Sequence, residues 1–267
     1  MNDLLLRVDT GMNHDFYGGR AAALVIENGR LSAMYQDETD PSAPVEQPRH
    51  VGVRPGNLTT DALEALLARA TVADQRPVNA TMKLVRLRDG DVDLDALFIQ
   101  ASAPDILPPV AAYRLDRLLR LDMVPVTVPR TIDGVAGSVQ FWPPNSISEP
   151  DRAEGGLGGE AWCPLGDQIS DMYRFDALIF NVGRTADRIR YSTEDFQLML
   201  MGQEESFSTG RGKPPHLANV PIDLTPEWKS ALNSLDEGML TDALGDVLDR
   251  RRIRALLERR NTLLGSQ

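Results

Sequence analysis

The sequence predicts an α+β fold in which a β-rich N-terminal part precedes a helical C-terminal part. Short apolar runs separated by turn dipeptides dominate the chain as far as Trp142. From Asp167 onward, apolar side chains instead recur at helical spacing. With 267 residues, the chain is long enough to bury a substantial core.

The composition excludes several classes of protein. The 39 acidic and 28 basic side chains give a formal net charge of −11, which disfavours nucleic-acid binding because phosphate contacts need a basic surface. One cysteine, Cys163, cannot form an internal disulfide, and His14, His50 and His216 lie far apart, so no metal site is expected. Without a long apolar run or an N-terminal signal pattern, we expect a cytoplasmic protein that does not contact a membrane.

The N-terminal segments are predicted as two units. The pattern of residues 1–37 predicts a short strand and a hairpin with an Asn28-Gly29 turn. Because so few strands are not stable alone, we expect them to pack against another part of a protein. Residues 38–76 predict a linker and then a helix over Thr60–Arg69, with Thr60 as its cap.

The remaining residues predict two larger units. Residues 77–145 predict a β-rich lobe with a helix over Val110–Arg120, opened by a Pro-Pro pair. Residues 146–267 predict a helical lobe that includes a helix over Asp167–Phe180 and a buried strand over Phe196–Met201. Thr225-Pro226 opens a further helix, and residues 236–264 supply two more.

The N-terminal segment also carries a resemblance, over Arg7 to Met12 and Tyr17 to Glu27. These residues resemble the closing strands of bacterial calcineurin-like metallophosphoesterases. In that family the segment follows the last metal-binding motif, so the resemblance implies that no catalytic ligand lies on this chain. Asn13-His14-Asp15 looks like a two-metal phosphoesterase element, but only ten residues precede Gly11 to supply the other ligands. An ordinary loop is therefore the preferred interpretation.

A second resemblance covers residues 77–264. It rests on four segments: Ala111 to Leu119, Val124 to Arg130, Phe175 to Arg184 and Phe196 to Phe207. In order and spacing these resemble an atypical kinase-like domain of the group that includes the Golgi casein kinases and HipA-type bacterial kinases. The resemblance implies a two-lobed kinase-like fold with a β-rich first lobe and a helical second lobe.

Residues that such a kinase needs are absent from the matching positions. Phosphoryl transfer uses a strand lysine, a helix glutamate, a catalytic aspartate and metal-binding groups. The lysine position is Gln100 and the glutamate position is Pro109. Gly183 replaces the catalytic base, Arg188 replaces a metal-binding asparagine, and Gly202 replaces the metal-binding aspartate. Because such electrostatic groups supply much of the barrier reduction, we expect no catalysis at these positions.

Five other polar residues near these positions are candidate ligand-binding groups: Asn181, Arg184, Asp187, Gln203 and Glu204. Relocated acids such as Asp187 and Glu204 keep open an active phosphotransferase or AMP transferase. Displacement by several residues disfavours that alternative, because reactive geometry tolerates only about 1 Å. For Asn181 and Arg184 the simpler interpretation is hydrogen bonding to loop backbone.

An arginine-rich segment near the C-terminus is the remaining candidate site. It holds six arginines between residues 249 and 260, of which Arg250, Arg251, Arg254 and Arg259 are candidates for binding an acidic partner. The alternative is a solvated helix whose arginines pair with the acidic body.

The sequence therefore favours a catalytically inactive kinase-like module, the regulatory or partner-binding C-terminal part of a metallophosphoesterase system. An active nucleotide-dependent transferase and a purely structural interaction domain remain alternatives. The expected partner is a metallophosphoesterase domain or an acidic protein. No cofactor is expected, and weak nucleotide binding stays open.

Overall fold

The computed structural model describes residues 4–6, 22–27, 30–35, 54–55, 58–103, 105–157, 165–193 and 196–265, the first three ranges as backbone only. The expectations for the Asn28-Gly29 turn, for Asn13-His14-Asp15 and for Cys163 fall outside these ranges. So does most of the expected linker.

The N-terminal strands form a small antiparallel sheet. Its strands are β1 (Leu4–Leu6), β2 (Ala22–Glu27) and β3 (Arg30–Tyr35). β2 lies between the other two, with Leu5 opposite Val25 and Ala23 opposite Met34. This matches the strand and hairpin predicted for the segment.

A second antiparallel sheet forms what we call the β lobe, together with two helices. The elements are α1 (Thr60–Arg69), β4 (Thr71–Pro77), β5 (Met82–Asp89), β6 (Val92–Gln100), α2 (Pro108–Leu118), β7 (Thr127–Ile132) and β8 (Val135–Phe141). The five strands lie in the order β4-β5-β6-β8-β7 in the described part of the chain. The only long connection, from β6 to β7, carries α2 and places it beside β7 and β8.

Two details of this lobe differ from the prediction. The cap of α1 is Thr59 and not Thr60, because the Thr59 hydroxyl accepts a hydrogen bond from the Ala62 amide. The Thr60 hydroxyl instead accepts one from Arg54 at 2.8 Å. Residues 71–76, expected to belong to a linker and helix, lie in edge strand β4, whose side chains are mostly exposed. An exposed edge strand lacks the apolar alternation by which strands are predicted.

The following residues form what we call the helical lobe. Its elements are β9 (Ser146–Ser148), α3 (Glu149–Glu154), α4 (Leu165–Ile179), β10 (Ile189–Ser192), β11 (Leu198–Leu200), α5 (Pro226–Ser234), α6 (Glu237–Leu244) and α7 (Arg250–Gly265). β10 pairs with both β9 and β11. As predicted, Thr225 caps α5 and Pro226 occupies its first position.

One apolar core joins the two lobes. It runs from Leu63 in α1 through Val139 in β8 and Phe175 in α4 to Leu256 in α7. The order of a β-rich lobe followed by a helical lobe confirms the two-lobed α+β fold predicted from the sequence. Within the described ranges, no helix combines the length and apolarity that crossing a membrane requires.

Candidate ligand cleft between the lobes

A buried polar cluster lies at the C-terminal end of α4. Asp176 is fully buried and accepts two hydrogen bonds from Arg184, at 2.8 Å from Nε and 2.9 Å from Nη2. Asn181 donates to the same carboxylate at 3.1 Å and to the Gly202 carbonyl at 3.2 Å. His216 Nε2 lies 3.5 Å from Asp176 Oδ2. The cluster therefore ties the residue 181–188 loop to α4.

Electrostatics keep Asp176 ionised inside the protein. Burial alone would raise the pKa of its carboxyl, but the charge of Arg184 and hydrogen bonds from Arg184, His216 and Asn181 outweigh burial. The pKa of Asp176 is therefore lowered from its ordinary value. Arg184 also donates to the backbone carbonyls of Met201 and Arg188, so its charge is fully used in holding the loop. This arrangement matches the structural role favoured for Asn181 and Arg184.

Gly183, Arg188 and Gly202, the positions at which the resemblance to kinases predicts catalytic or metal-binding residues, interlock beside this cluster. The Arg188 side chain lies over Gly183 and Gly202, and its Nη1 donates to the Gly183 carbonyl at 3.1 Å. A Cβ atom on Gly183 would lie 2.9 Å from Arg188 Nη1, and one on Gly202 would lie 2.6 Å from Arg188 Cδ. Arg188 therefore fills the space into which side chains at both glycine positions would extend.

Glu204 balances the charge of Arg188. Its Oε1 lies 2.6 Å from Arg188 Nη1, with the two side chains 16% and 28% exposed, respectively. Glu204 therefore pairs with a guanidinium and is not an isolated acid. Asp187 is exposed on the short 3-10 turn Ala186–Arg188 and does not line the cleft described next.

A cavity of about 410 Å³ lies between the lobes. On the β-lobe side, Gln100 at the end of β6 and Pro109 at the start of α2 line it, and on the helical-lobe side Glu204 and Glu205 do so. Ser138 of β8 also lines the cavity, and its buried hydroxyl has no hydrogen-bond partner in the described part of the chain. The fold thus brings the predicted Gln100, Pro109 and Glu204 to one site.

The neighbouring face of the sheet is closed by apolar side chains. Met82, Leu97 and Ile99 project from β5 and β6 and pack against Met201 of the helical lobe. Trp142 covers this cluster, and the Arg190 guanidinium lies 4.8 Å from the centre of its ring. Little of this part of the lobe interface remains open to a planar ligand.

The turn between β4 and β5 lacks the composition of a phosphate-binding loop. In protein kinases a glycine-rich loop covers the phosphates of the nucleotide. Here residues 78–81 are Val-Asn-Ala-Thr, and the Asn79 side chain accepts a hydrogen bond from the Thr81 amide. The Val78 and Asn79 amides donate to the Met82 carbonyl, so these amides and that of Thr81 are already used within the turn.

The sequence prediction covered only some of the polar residues at this site. Gln203 is fully buried and donates to the Leu200 carbonyl at 2.5 Å, so it holds the backbone. Sequence reasoning missed Ser138 as a cleft residue. The two glycines, Gly183 and Gly202, were the sequence signal for this packing, because glycines leave room for a long side chain such as that of Arg188.

The arginine-rich segment forms the first turns of α7. Asp249 caps the helix by accepting from the Arg252 amide at 2.9 Å. Arg250, Arg251 and Arg254 are exposed, and Arg250 Nη2 lies 3.7 Å from Glu237. Positive charge at a helix N-terminus is opposed by the helix dipole, so helix stability does not account for these arginines.

Arg259 departs from the expectation that it binds a partner. Its side chain is buried, and it donates to the carbonyls of Leu178, Ser208 and Gly210 at 2.7, 3.0 and 3.1 Å. The Phe180 ring centre lies 5.7 Å from its guanidinium. Burial lowers the pKa of Arg259 to about 10. Arg259 therefore fixes the end of α4 and is not available to a partner.

Comparison with known proteins gives structural similarity only. No protein-family model matches the chain, and no curated protein matches it. The Helicobacter pylori proinflammatory kinase CtkA is similar with a TM-score of 0.49 and 9% identity, over 74% of this chain and 92% of that one. The Mycobacterium tuberculosis PknI kinase domain is similar with a TM-score of 0.34 and 13% identity, over 71% of this chain and 96% of that domain. Because both TM-scores lie below 0.5, the roles of the cleft residues are inferred from their own contacts.

Proposed function

We propose that this chain is a catalytically inactive kinase-like module that serves as a regulatory or partner-binding part of a metallophosphoesterase system. The observation that carries the proposal is the position of Arg188. Its side chain fills the space beside Gly183 and Gly202, the positions that resemble those of a catalytic base and a metal-binding carboxylate.

The chemistry of the cleft supports an inactive module. A phosphotransferase needs cations to neutralise the charge that develops on the phosphates and a carboxylate to hold the metal. Glu204 is paired with Arg188, and the residue at the lysine position is Gln100. Removing one preorganised electrostatic group typically costs a factor of about 10² to 10³ in rate. Several such losses together leave no effective catalyst.

The test is a transfer assay with the purified protein. We expect neither γ-phosphate transfer nor AMP transfer from labelled ATP to the protein itself or to a general acceptor with Mg²⁺ or Mn²⁺. A thermal-shift series with ATP under the same conditions is expected to give no change in Tm, because only a bound ligand raises it. ATP turnover that Glu204→Gln or Asp187→Asn abolishes would contradict the proposal and support an active transferase with relocated acids.

The exposed arginines of α7 are the proposed partner-binding surface. We define the arginine surface as Arg250, Arg251 and Arg254, three exposed side chains on an otherwise acidic protein. An acidic partner would be attracted to it at low ionic strength and released as salt screens the charges. Arg259 is excluded from this surface because it is buried.

Triple substitution to serine tests the arginine surface. The matched control replaces Arg69, Arg76 and Arg211, whose side chains are 73%, 64% and 87% exposed. Both variants remove three positive charges. We expect only the α7 variant to lose binding to an acidic metallophosphoesterase partner in a co-expression pull-down. Equal binding by both variants would rule out the arginine surface.

The metallophosphoesterase link has an independent test. The proposal requires a metallophosphoesterase encoded in frame with this chain or adjacent to it. If one is present, co-expression is expected to yield a complex, and its phosphoesterase activity is expected to change when this module is removed. A complex without any such change would leave a purely structural interaction domain as the better description.

A further inference from the structure

The charges around the inter-lobe cavity have the opposite sign to those of a phosphate site. Glu204 and Glu205 are the ionisable side chains among the described residues that line it, and no lysine or arginine is among them. A cleft lined by one sign of charge concentrates counter-ions of the other sign. Because Arg188 balances Glu204, the uncompensated charge at the cavity wall is that of Glu205, which favours cations over phosphates.

Glu205 is the cavity carboxylate without an ion-pair partner among the described residues, and Glu204 Oε2, which is buried, has no hydrogen-bond partner among them either. Glu204 is already paired with Arg188 at 2.6 Å, whereas Glu205 forms no ion pair with any residue in the described ranges. Its Cβ lies 3.4 Å from the position a Cβ atom on Gly183 would take. The Glu205 side chain therefore begins beside Gly183.

A second, independent observation also points to a ligand. The side chain of Ser138 is 1% exposed, lines the cavity and has no hydrogen-bond partner for its hydroxyl among the described residues. Buried polar groups are nearly always hydrogen-bonded, and an exception calls for an explanation. A ligand N–H donor in the cavity would supply the missing partner.

Most of the remaining lining residues are apolar, and three, Thr81, Gln100 and Ser102, are polar. Ile99, Leu107 and Pro108 are among the apolar residues that line the cavity. A volume of about 410 Å³ falls at the lower end of the usual range for small-molecule sites. A ligand that fits this wall carries a compact apolar body in addition to its charge.

We propose that this cavity binds a small organic cation, a protonated amine attached to a short apolar body. The ammonium group pairs with Glu205 and donates to the Ser138 hydroxyl, while the apolar body packs on the wall formed by Ile99, Leu107 and Pro108. This ligand class goes beyond the proposed inactive module and does not depend on the arginine surface of α7.

The proposal is tested with three probes of similar shape and different charge. Each is titrated into the full chain, and binding is monitored by NMR or calorimetry. Phenethylamine carries a positive charge, 2-phenylethanol is neutral and 3-phenylpropionate is negative. We expect saturable binding of phenethylamine with a Kd on the order of millimolar. The alcohol is expected to bind at least about tenfold more weakly, since it loses the charge-assisted hydrogen bond. The carboxylate is expected not to bind.

Variants locate the site. Glu205→Gln and Ser138→Ala are both expected to weaken phenethylamine binding, the first by about tenfold or more. Glu154→Gln, which removes an exposed carboxylate from α3, is the matched control and is expected to leave Kd unchanged. An unchanged Tm for Glu205→Gln shows that the variant folds.

Three results would overturn the proposal: equal binding of the three probes, no saturation by phenethylamine, or full affinity in Glu205→Gln. Failure here is distinguishable from failure of the proposed function, because phosphate and AMP transfer are measured separately from amine binding. ATP binding that phenethylamine does not displace also counts against the proposed ligand class.

Discussion

A Cβ atom on Gly202 would lie 2.6 Å from Cδ of Arg188, closer than two carbon atoms can approach without one of them moving. Gly202 also has φ of +77°, a conformation that glycine adopts freely and other residues adopt at a cost. Glycine is therefore favoured at position 202 for two reasons: the backbone conformation and the close packing of Arg188.

Gly202→Ala is accordingly expected to destabilise the protein by about 3 kcal/mol, from backbone strain and overpacking together. Gly212→Ala is the matched control, because Gly212 has φ of +80° and open space around its Cβ position. It is expected to cost only the strain, about 1 kcal/mol. Urea denaturation of both variants measures the difference. Equal losses would show that Arg188 does not crowd position 202.

The same contact predicts coupling between the two residues. In a double-mutant cycle, Arg188→Ala and Gly202→Ala together are expected to destabilise less than the sum of the two single changes. A coupling of about 1 kcal/mol or more is expected for residues in contact. Strictly additive free energies of unfolding would contradict the interlock.

Asp116 predicts an unusual dependence of stability on pH. It is fully buried, its Oδ1 accepts from the amides of Met123 and Val124, and burial raises its pKa to about 8. In the unfolded chain the carboxyl ionises near pH 4, as an ordinary aspartate does. The folded protein thus holds one more proton between these values, so the free energy of unfolding falls as pH rises from about 4 to 8.

Asp116→Asn is expected to remove this dependence, because asparagine keeps an acceptor for both amides and does not titrate. The contribution it removes is about 1.4 kcal/mol per pH unit between about pH 5 and 7. Urea denaturation at several pH values measures the slope, with exposed Asp91→Asn as the control. A slope that persists in Asp116→Asn would assign the titration to another group.

The buried pair of Asp176 and Arg184 predicts a large loss on removing one charge. Asp176→Asn leaves Arg184 buried without its counter-charge and is expected to cost about 3 to 5 kcal/mol. Asp93→Asn is the control, since Asp93 accepts two hydrogen bonds from Arg88 on the surface, and it is expected to leave the denaturation midpoint nearly unchanged. A similar small effect at Asp176 would show that the cluster does not hold the loop.

This pair also has a pH signature. Because the pKa of Asp176 is lowered in the folded protein, its contribution is present above the ordinary aspartate pKa and is lost as pH falls below about 4. The wild-type protein is therefore expected to lose more stability in acid than Asp176→Asn does. Denaturation at pH 3 and pH 6 gives the comparison.

Arg259 distinguishes a structural arginine from a surface arginine. Arg259→Lys keeps the charge but loses the planar arrangement that reaches three carbonyl groups, so a cost of about 1 to 3 kcal/mol is expected. Arg254→Lys on the exposed face of the same helix is expected to change Tm by less than the error of measurement. Thermal denaturation of both variants measures the difference. An unchanged Tm in Arg259→Lys would show that the Arg259 contacts do not stabilise α4.

Elements with strong local signals were predictable from the sequence, and the polar cleft was not. The helices around Leu66, Leu115 and Trp228 were predicted because apolar spacing and proline starts are local features. Edge strand β4 was missed because its side chains are exposed. The cleft joins Ser138, Gln100 and Glu205, which lie far apart in the chain. Their approach depends on the packing of the two lobes, which no local pattern encodes.

The interlock around Arg188 also bears on the history open to this sequence. A single change of Gly202 to aspartate would introduce a carboxylate, but the new side chain would collide with Arg188. Changing Arg188 first would leave Glu204 without its counter-charge and Gly183 without its neighbour. Any substitution route to an acidic group at position 202 therefore passes through less stable intermediates, so the interlock constrains which sequences this fold can reach one change at a time.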